Sequence, residues 1–367
     1  MINRHPPIVG EIRVAKGLLD EKHRQETWAL VPPLFAHDDR LRKALSGKRA
    51  LVVGADGFLG FNAVRGLYAM GAHVTLATRR STARAAAIAH EVHSGDLVDP
   101  DYVNAIVDGQ DIVIDMVGYP NLAPHSVEPI RDFRREYLPH TNLFYACAKS
   151  PKSPVVVHAS SRLVYGPPKY LPVDEEHPTR PTSVYGAHKL SIEQYLGVIK
   201  ATHGLRYVTH RISSAFGPGR KQDRDGFGAL NIFMHRAVDG ESLVIYGQGE
   251  QTRDYIFVDD CIYAMLWTAV LEECDGEVYN LGGDQSVSLA HAAKLVGKLA
   301  GVDVRHIPWP PDALAVETGS YQASHRKLHA VAPLPAQIPF EEGIRLTMQD
   351  YARSAPPKET RVAAEHL

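Results

Sequence analysis

The sequence is poor in cysteine. It has three in 367 residues (Cys147, Cys261, Cys274) and no Cys-x-x-Cys spacing, so neither a disulfide framework nor a cysteine-based zinc site is expected. It also lacks any apolar run near the roughly 20 residues that cross a bilayer. Its first residues, MINRHPPIVGEIRV, do not follow the charged-then-apolar layout of a signal peptide. No membrane partner is expected, and the expected location is cytoplasmic. A charge excess is missing too: 40 Lys plus Arg stand against 42 Asp plus Glu, which argues against a nucleic-acid partner. The 19 His include no His-Glu-x-x-His or comparable pair, so no metal site is expected. What is there, 44% hydrophobic and 22% charged residues, is a globular composition, long enough for one large α/β domain or two smaller ones.

Residues 1–47, broken by Pro6, Pro7, Pro32 and Pro33, read as an N-terminal extension along the surface. From Lys48 the pattern changes. KRALVVG (48–54) is a short apolar run suited to a buried parallel strand, and GFLGFNAVRGLYAM (57–70) follows with helical spacing. HVTLAT (73–78), DIVIDMV (111–117), SPVVVHAS (153–160) and YVTHRIS (207–213) are further candidate strands, separated by helical segments. Such alternation implies a doubly wound parallel sheet.

Gly54, Gly57 and Gly60 lie in GADGFLG, between the first strand and its helix. A tight turn, close backbone approach and free N–H groups at a helix start suit a dinucleotide pyrophosphate, with Phe58 and Leu59 in the same turn. The end of the second strand should then contact the adenosine ribose. It reads Ala77-Thr78-Arg79-Arg80, without an acid, and two arginines beside a hydroxyl favour NADP over NAD. Asp96 and Leu97 are candidates for contact with adenine.

Tyr185 and Lys189 are four residues apart, on one face of a helix. A free tyrosine has a pKa of ~10, and a neighbouring ammonium stabilises its phenolate, which lets it take a hydroxyl proton as hydride leaves the same carbon. Such a spacing is common on surface helices. Here it follows Ser160-Ser161 at a strand end, where open α/β sheets face their ligands.

With these motifs in this order, residues 48–350 resemble the extended short-chain dehydrogenase/reductases, specifically the NAD(P)-dependent nucleotide-sugar epimerase/dehydratase group. GQGEQTRDYIFVDDC (247–261) resembles that group's substrate-domain signature, with SSRLVYGPP, YGAHK and RISSAFGPG in support. The resemblance implies a Rossmann-type domain over 48–210 and a smaller α/β substrate-binding domain over 211–355, one segment of which returns to the sheet. A polar tail follows at 356–367. It further implies that Ser161 and Tyr185 bind the reacting hydroxyl and that Lys189 lowers the tyrosine pKa and holds the nicotinamide ribose. Arg253 would contact a nucleotide diphosphate, with Arg220 a second candidate. Tyr246 lies in the segment expected near the nucleobase, and the group's dimer is expected through two long helices.

Departures from the group narrow the reaction. Arg162 and Leu163 stand where its dehydratases carry an acid pair, and Leu163 stands where its decarboxylases usually carry Glu. Arg162 therefore enters the expected sugar pocket. Ser214 replaces an amide that contacts the diphosphate, and the group's later nucleotide-gripping Arg is not evident in 312–328. The expectation is a nucleotide-sugar epimerase working by transient oxidation and re-reduction on the opposite face, C4 being the prior choice. The alternatives are an NADPH-dependent keto-sugar reductase and, third, a cofactor-sensing or scaffold protein without turnover.

Overall fold

The computed structural model describes residues 32–79, 83–118, 129–220, 228–315 and 317–354. Most of the expected N-terminal extension, Arg80 and the expected polar tail lie outside them. Seven strands form one sheet: β1 Arg49–Val53, β2 His73–Thr78, β3 Glu91–Ser94, β4 Ile112–Asp115, β5 Val155–Ser161, β6 Tyr207–Ile212 and β10 Glu277–Leu281. They lie in the order β10-β6-β5-β4-β1-β2-β3, and every pairing is parallel. The helices used below are α1 Asp39–Leu45, α2 Phe58–Ala69, α3 Pro100–Val107, α4 Leu138–Lys149, α5 Val184–His203, α6 Ala229–Val238, α7 Val258–Val270, α8 Leu289–Ala300 and α9 Phe340–Ser354.

Alternation along β1 shows why the sheet is covered on both faces. Ala50 and Val52 join the core formed with α1, α2 and α7, whereas Leu51 and Val53 join the one formed with α3, α4 and α5. Each fully buried Val or Leu contributes about 1.5–3 kcal/mol, so neither face tolerates solvent. Phe35, Leu41 and Leu45 belong to the first core, and Asp38 caps α1 through Arg40 and Leu41 N–H.

A smaller C-terminal α/β unit completes the chain. β7 Ser214–Phe216, β9 Thr252–Phe257 and β11 Ser286–Ser288 make one small sheet, while β8 Leu243–Tyr246 and β12 Val304–Ile307 pair separately. Their side chains share a third core with α6, α8 and α9. After β3 the chain returns to the other side of β1, so β4 lies beside it. This reversal opens a crevice beyond the carboxyl ends of β1 and β4, where such sheets bind ligands.

Candidate active site

Three glycines shape the turn after β1, for two different reasons. Gly54 has φ +75°, and a Cβ there would lie 2.6 Å from the Met116 carbonyl oxygen beyond β4. A Cβ on Gly60 would come within 2.2 Å of the Gly54 carbonyl. These two are required by backbone packing. Gly57 is the N-cap of α2 in an extended conformation, φ −78°, with no side chain capping the helix. A Cβ there would meet only the Gly54 oxygen, at 3.3 Å. The first turn of α2 thus keeps the free N–H groups and open approach that a pyrophosphate needs. Phe58 and Leu59 are half-buried against the core, and the Arg220 guanidinium stacks over the Phe58 ring at 4.5 Å.

An acid that the sequence motif did not single out stands at the end of β2. Asp56, inside the glycine turn, accepts the Thr78 hydroxyl at 2.7 Å. Arg79 beside it is exposed. Asp96 accepts Val98 N–H in a local turn at 3.1 Å, leaving Asp99 to cap α3. The Leu97 carbonyl accepts Asn142 Nδ2 at 2.9 Å.

Ser161 ends β5, and its hydroxyl oxygen accepts Leu163 N–H at 3.2 Å, starting a 3-10 turn over 162–164. The start of α5 sits against that turn: a Cβ on Gly186 would lie 2.5 Å from the Leu163 carbonyl, and Ser183 caps the helix through Gly186 N–H. Tyr185 and Lys189 therefore project beside Ser161's strand end. The Lys189 ammonium donates to the carbonyls of Val117, at 2.9 Å, and Ala159, at 2.8 Å. It lies 6.0 Å from the Tyr185 ring centre. Both groups converge on Gly118, where a Cβ would be 3.6 Å from Nζ and 3.7 Å from the phenol oxygen. Burial raises the Tyr185 pKa, and the Glu136 charge adds to the shift. Burial also lowers that of Lys189, opposed by Asp115, Glu136 and Glu193.

Two buried polar networks lie near this pair, and sequence spacing revealed neither. Glu193, one turn beyond Lys189, accepts the Ser160 hydroxyl and three charge-assisted bonds from Arg211, the shortest at 2.7 Å. Arg211 also donates to the Tyr165 hydroxyl at 2.8 Å. Neighbouring strands β4 and β5 carry Asp115 and His158, and α4 carries His140. Their imidazole Nδ1 atoms lie 2.8 Å (His158) and 2.7 Å (His140) from the same Asp115 oxygen. The three potential ligand atoms sit within 4.8 Å of one another, and the Nδ1 atom of each imidazole is engaged by the carboxylate. The only sequence sign of these groups was the rarity of buried charge in an apolar strand or helix face.

On the C-terminal unit, Arg253 is held by Glu317 at 2.6 Å and donates to the carbonyls of Thr252, at 2.9 Å, and Gly319, at 2.7 Å. Arg162 stacks over the Tyr321 ring at 4.9 Å and donates to Thr318 Oγ1 at 3.4 Å. Burial lowers its pKa, and the nearby Arg253 charge lowers it further. The guanidinium brought towards Arg253 is thus Arg162, while Arg220 stands at the glycine turn. Ser214 opens β7 and is half-buried. Tyr246 ends β8, its ring 5.5 Å from that of Trp309.

A parallel sheet with a glycine turn, a strand-end serine and a Tyr-x-x-x-Lys pair defines a dinucleotide-dependent α/β enzyme. The family model described as NAD dependent epimerase/dehydratase matches residues 50–282, and the chain belongs to that family. A relative named putative UDP-glucose 4-epimerase, from Methanocaldococcus jannaschii, is 30% identical over 65% of this chain and 78% of its own. Among solved structures, a UDP-N-acetylglucosamine 4-epimerase from Methanobrevibacter ruminantium, in complex with UDP-N-acetylmuramic acid, is 26% identical. It covers 84% of this chain and 100% of its own, with TM-score 0.76. The UDP-glucose 4-epimerase of Thermus thermophilus, in complex with NAD, is 27% identical, covering 83% and 98%, with TM-score 0.73. The expected family and Rossmann-like architecture are both met. No helix among the described residues is long and apolar enough to cross a membrane.

Proposed function

We propose that this protein is a nucleotide-sugar C4-epimerase that uses NAD. The convergence of Tyr185 and Lys189 on Gly118 beside Ser161's strand end carries the reading. Arg162 and Leu163, with no carboxyl group between them, make elimination of water a poorer fit. The similar proteins named as UDP-sugar 4-epimerases support the choice of carbon.

The first turn of α2, with Gly57 at its cap, would hold the pyrophosphate, and Lys189 the nicotinamide ribose. Asp56 is the acid for the adenosine ribose, which supports NAD in place of the NADP expected from Arg79 and Arg80. When bound, NAD would supply the reversible acceptor for the C4 hydride, which leaves one face of the sugar and returns to the other. Tyr185 removes the proton of the C4 hydroxyl, Ser161 holds that oxygen, and the Lys189 ammonium stabilises the phenolate. After the keto-sugar turns in the pocket, Tyr185 returns the proton and the configuration is inverted. Arg253 and Arg162 face the substrate's diphosphate, with Ser214 and Tyr246 further along the nucleotide and Arg220 at the cofactor end.

The test is to denature the purified protein, identify any released dinucleotide by mass spectrometry, and incubate the native protein with UDP-glucose and UDP-N-acetylglucosamine. Released NAD and interconversion at C4 without net NADH are expected. Stoichiometric NADPH consumption with a keto-sugar would replace the epimerase with a reductase.

A further inference from the structure

The turn that follows β7 is tied to the helix that opens the cofactor crevice. The Asn62 side-chain amide, on α2, donates to the Pro218 carbonyl at 3.2 Å. Gly219 packs so closely on the same helix that a Cβ there would lie 3.0 Å from the Phe61 ring. Its N–H is taken at 2.8 Å by the buried Asp350 carboxylate of α9. A loop of the C-terminal unit is thus held from two sides against the first turns of α2.

Arg220 is next in the chain. Its guanidinium lies over the Phe58 ring, 4.5 Å from the ring centre, and burial lowers its pKa. A stacked guanidinium is bound through its face, and its N–H groups point outward in its plane. Phe58 is the first residue of α2, where the Gly57 cap offers no side chain. The free N–H groups of a helix start carry partial positive charge, so acids are favoured there and cations are not. Yet the first turn of α2 contains no acid, and Asp56, the carboxylate of the glycine turn, accepts the Thr78 hydroxyl. A guanidinium brought to this end adds like charge to like, an arrangement that suits an anion bound by both.

We propose that Arg220 is a binding residue for the dinucleotide pyrophosphate, donating its guanidinium N–H groups to the phosphate oxygens alongside the N–H groups of α2. A pyrophosphate carries two negative charges, and a planar guanidinium matches its oxygens as a fork. The glycine turn belongs to the sheet and Arg220 to the C-terminal unit, so both units grip the cofactor. Because Asn62 and Asp350 fix the turn through its backbone, the guanidinium loses little freedom when the cofactor arrives. The substrate's diphosphate then falls to Arg253 and Arg162, and Arg220, expected from the sequence to join them, serves the cofactor instead. The inference rests on the dinucleotide site proposed above, but not on which sugar is bound or which carbon is inverted.

Calorimetric titration of the whole protein with NAD, ADP-ribose and UDP tests it. ADP-ribose carries the pyrophosphate without the nicotinamide. Arg220→Gln is expected to weaken NAD and ADP-ribose by about ten- to a hundredfold and to leave UDP affinity unchanged. Arg220→Lys keeps the charge but not the fork, and should fall between the parent and Arg220→Gln. Unchanged NAD affinity in folded Arg220→Gln overturns the proposal, and so does a loss as large for UDP. Should that variant fail to fold, a crystal structure of the parent with NAD decides. A guanidinium nitrogen about 2.7–3.2 Å from a phosphate oxygen supports the contact, and a guanidinium resting on Phe58 alone overturns it. Dinucleotide binding that depends on Arg220, with no sugar inverted, would count against the epimerase and not against this contact. An active epimerase whose NAD affinity ignores Arg220 would do the reverse.

Discussion

Asp56 reaches from the glycine turn to accept the hydroxyl hydrogen of Thr78, the last residue of β2, at 2.7 Å. A carboxylate from the glycine turn is thereby brought to the end of β2, the region where an acid meets the adenosine ribose in sheets of this kind, and the proposed role of Asp56 there can be tested. Asp56→Asn keeps an acceptor for Thr78 and removes the charge. The parent is expected to bind NAD at least about tenfold more tightly than NADP, and the variant to lose most of that ratio, because a 2′-phosphate no longer faces a carboxylate. Calorimetric titration of both dinucleotides checks this, and a parent that prefers NADP would return the selectivity to Arg79 and its neighbour.

Tyr185→Phe removes only the hydroxyl proposed to transfer the proton. Turnover is expected to fall about 10²–10⁴-fold, with NAD affinity within a few-fold of the parent because the pyrophosphate turn is untouched. A Phe variant with near-parental kcat would take Tyr185 out of the chemistry.

Gly57 and Gly60 separate cofactor approach from packing. Gly57→Val has an allowed backbone conformation, so it should melt close to the parent yet fail to bind the dinucleotide. Gly60→Ala drives a methyl onto the Gly54 carbonyl and should cost about 1–3 kcal/mol of stability. Thermal melts with and without NAD distinguish the two effects, which should not appear together in Gly57→Val.

Glu317 neutralises Arg253 through a 2.6 Å ion pair. If Arg253 receives the diphosphate, Glu317 must give way to it, and Glu317→Gln should bind UDP about three- to tenfold more tightly at low salt, with a steeper loss on adding salt. Equal UDP affinity in both proteins would make the pair a loop anchor only.

Acid should destabilise the fold. Burial lowers the pKa of His158 and of His210 to about 3 from 6.5, so the unfolded chain takes up protons first, and their contribution is complete above pH 6.5 and lost as pH falls towards 3. Asp260 opposes them: burial raises it to about 7 from 3.8, so the native state holds one extra proton between those values. Two protons against one leave stability falling by about 1.4 kcal/mol per pH unit between pH 6 and 4. Asp260→Asn removes the opposing group and should roughly double that slope, as read from urea midpoints across the range.

The sequence by itself determined the sheet order's ingredients and the candidate catalytic motif. Its strands are short β-branched runs whose alternate residues feed two cores, and helical spacing alone puts Tyr185 and Lys189 on one face. Glycines 54, 57 and 60 were equally legible, since a turn between a strand and a helix leaves few other uses for that spacing. Tertiary structure decided what surrounds them. Asp56 reaches Thr78 only because the glycine turn folds back to the end of β2, and Arg162 meets Tyr321 and Thr318 only because the C-terminal unit packs against the end of β5. Asp115, His140 and His158 come from two strands and a helix. Local spacing encodes contacts within one element, whereas buried charges from distant segments find their partners only once apolar burial has fixed where those segments lie.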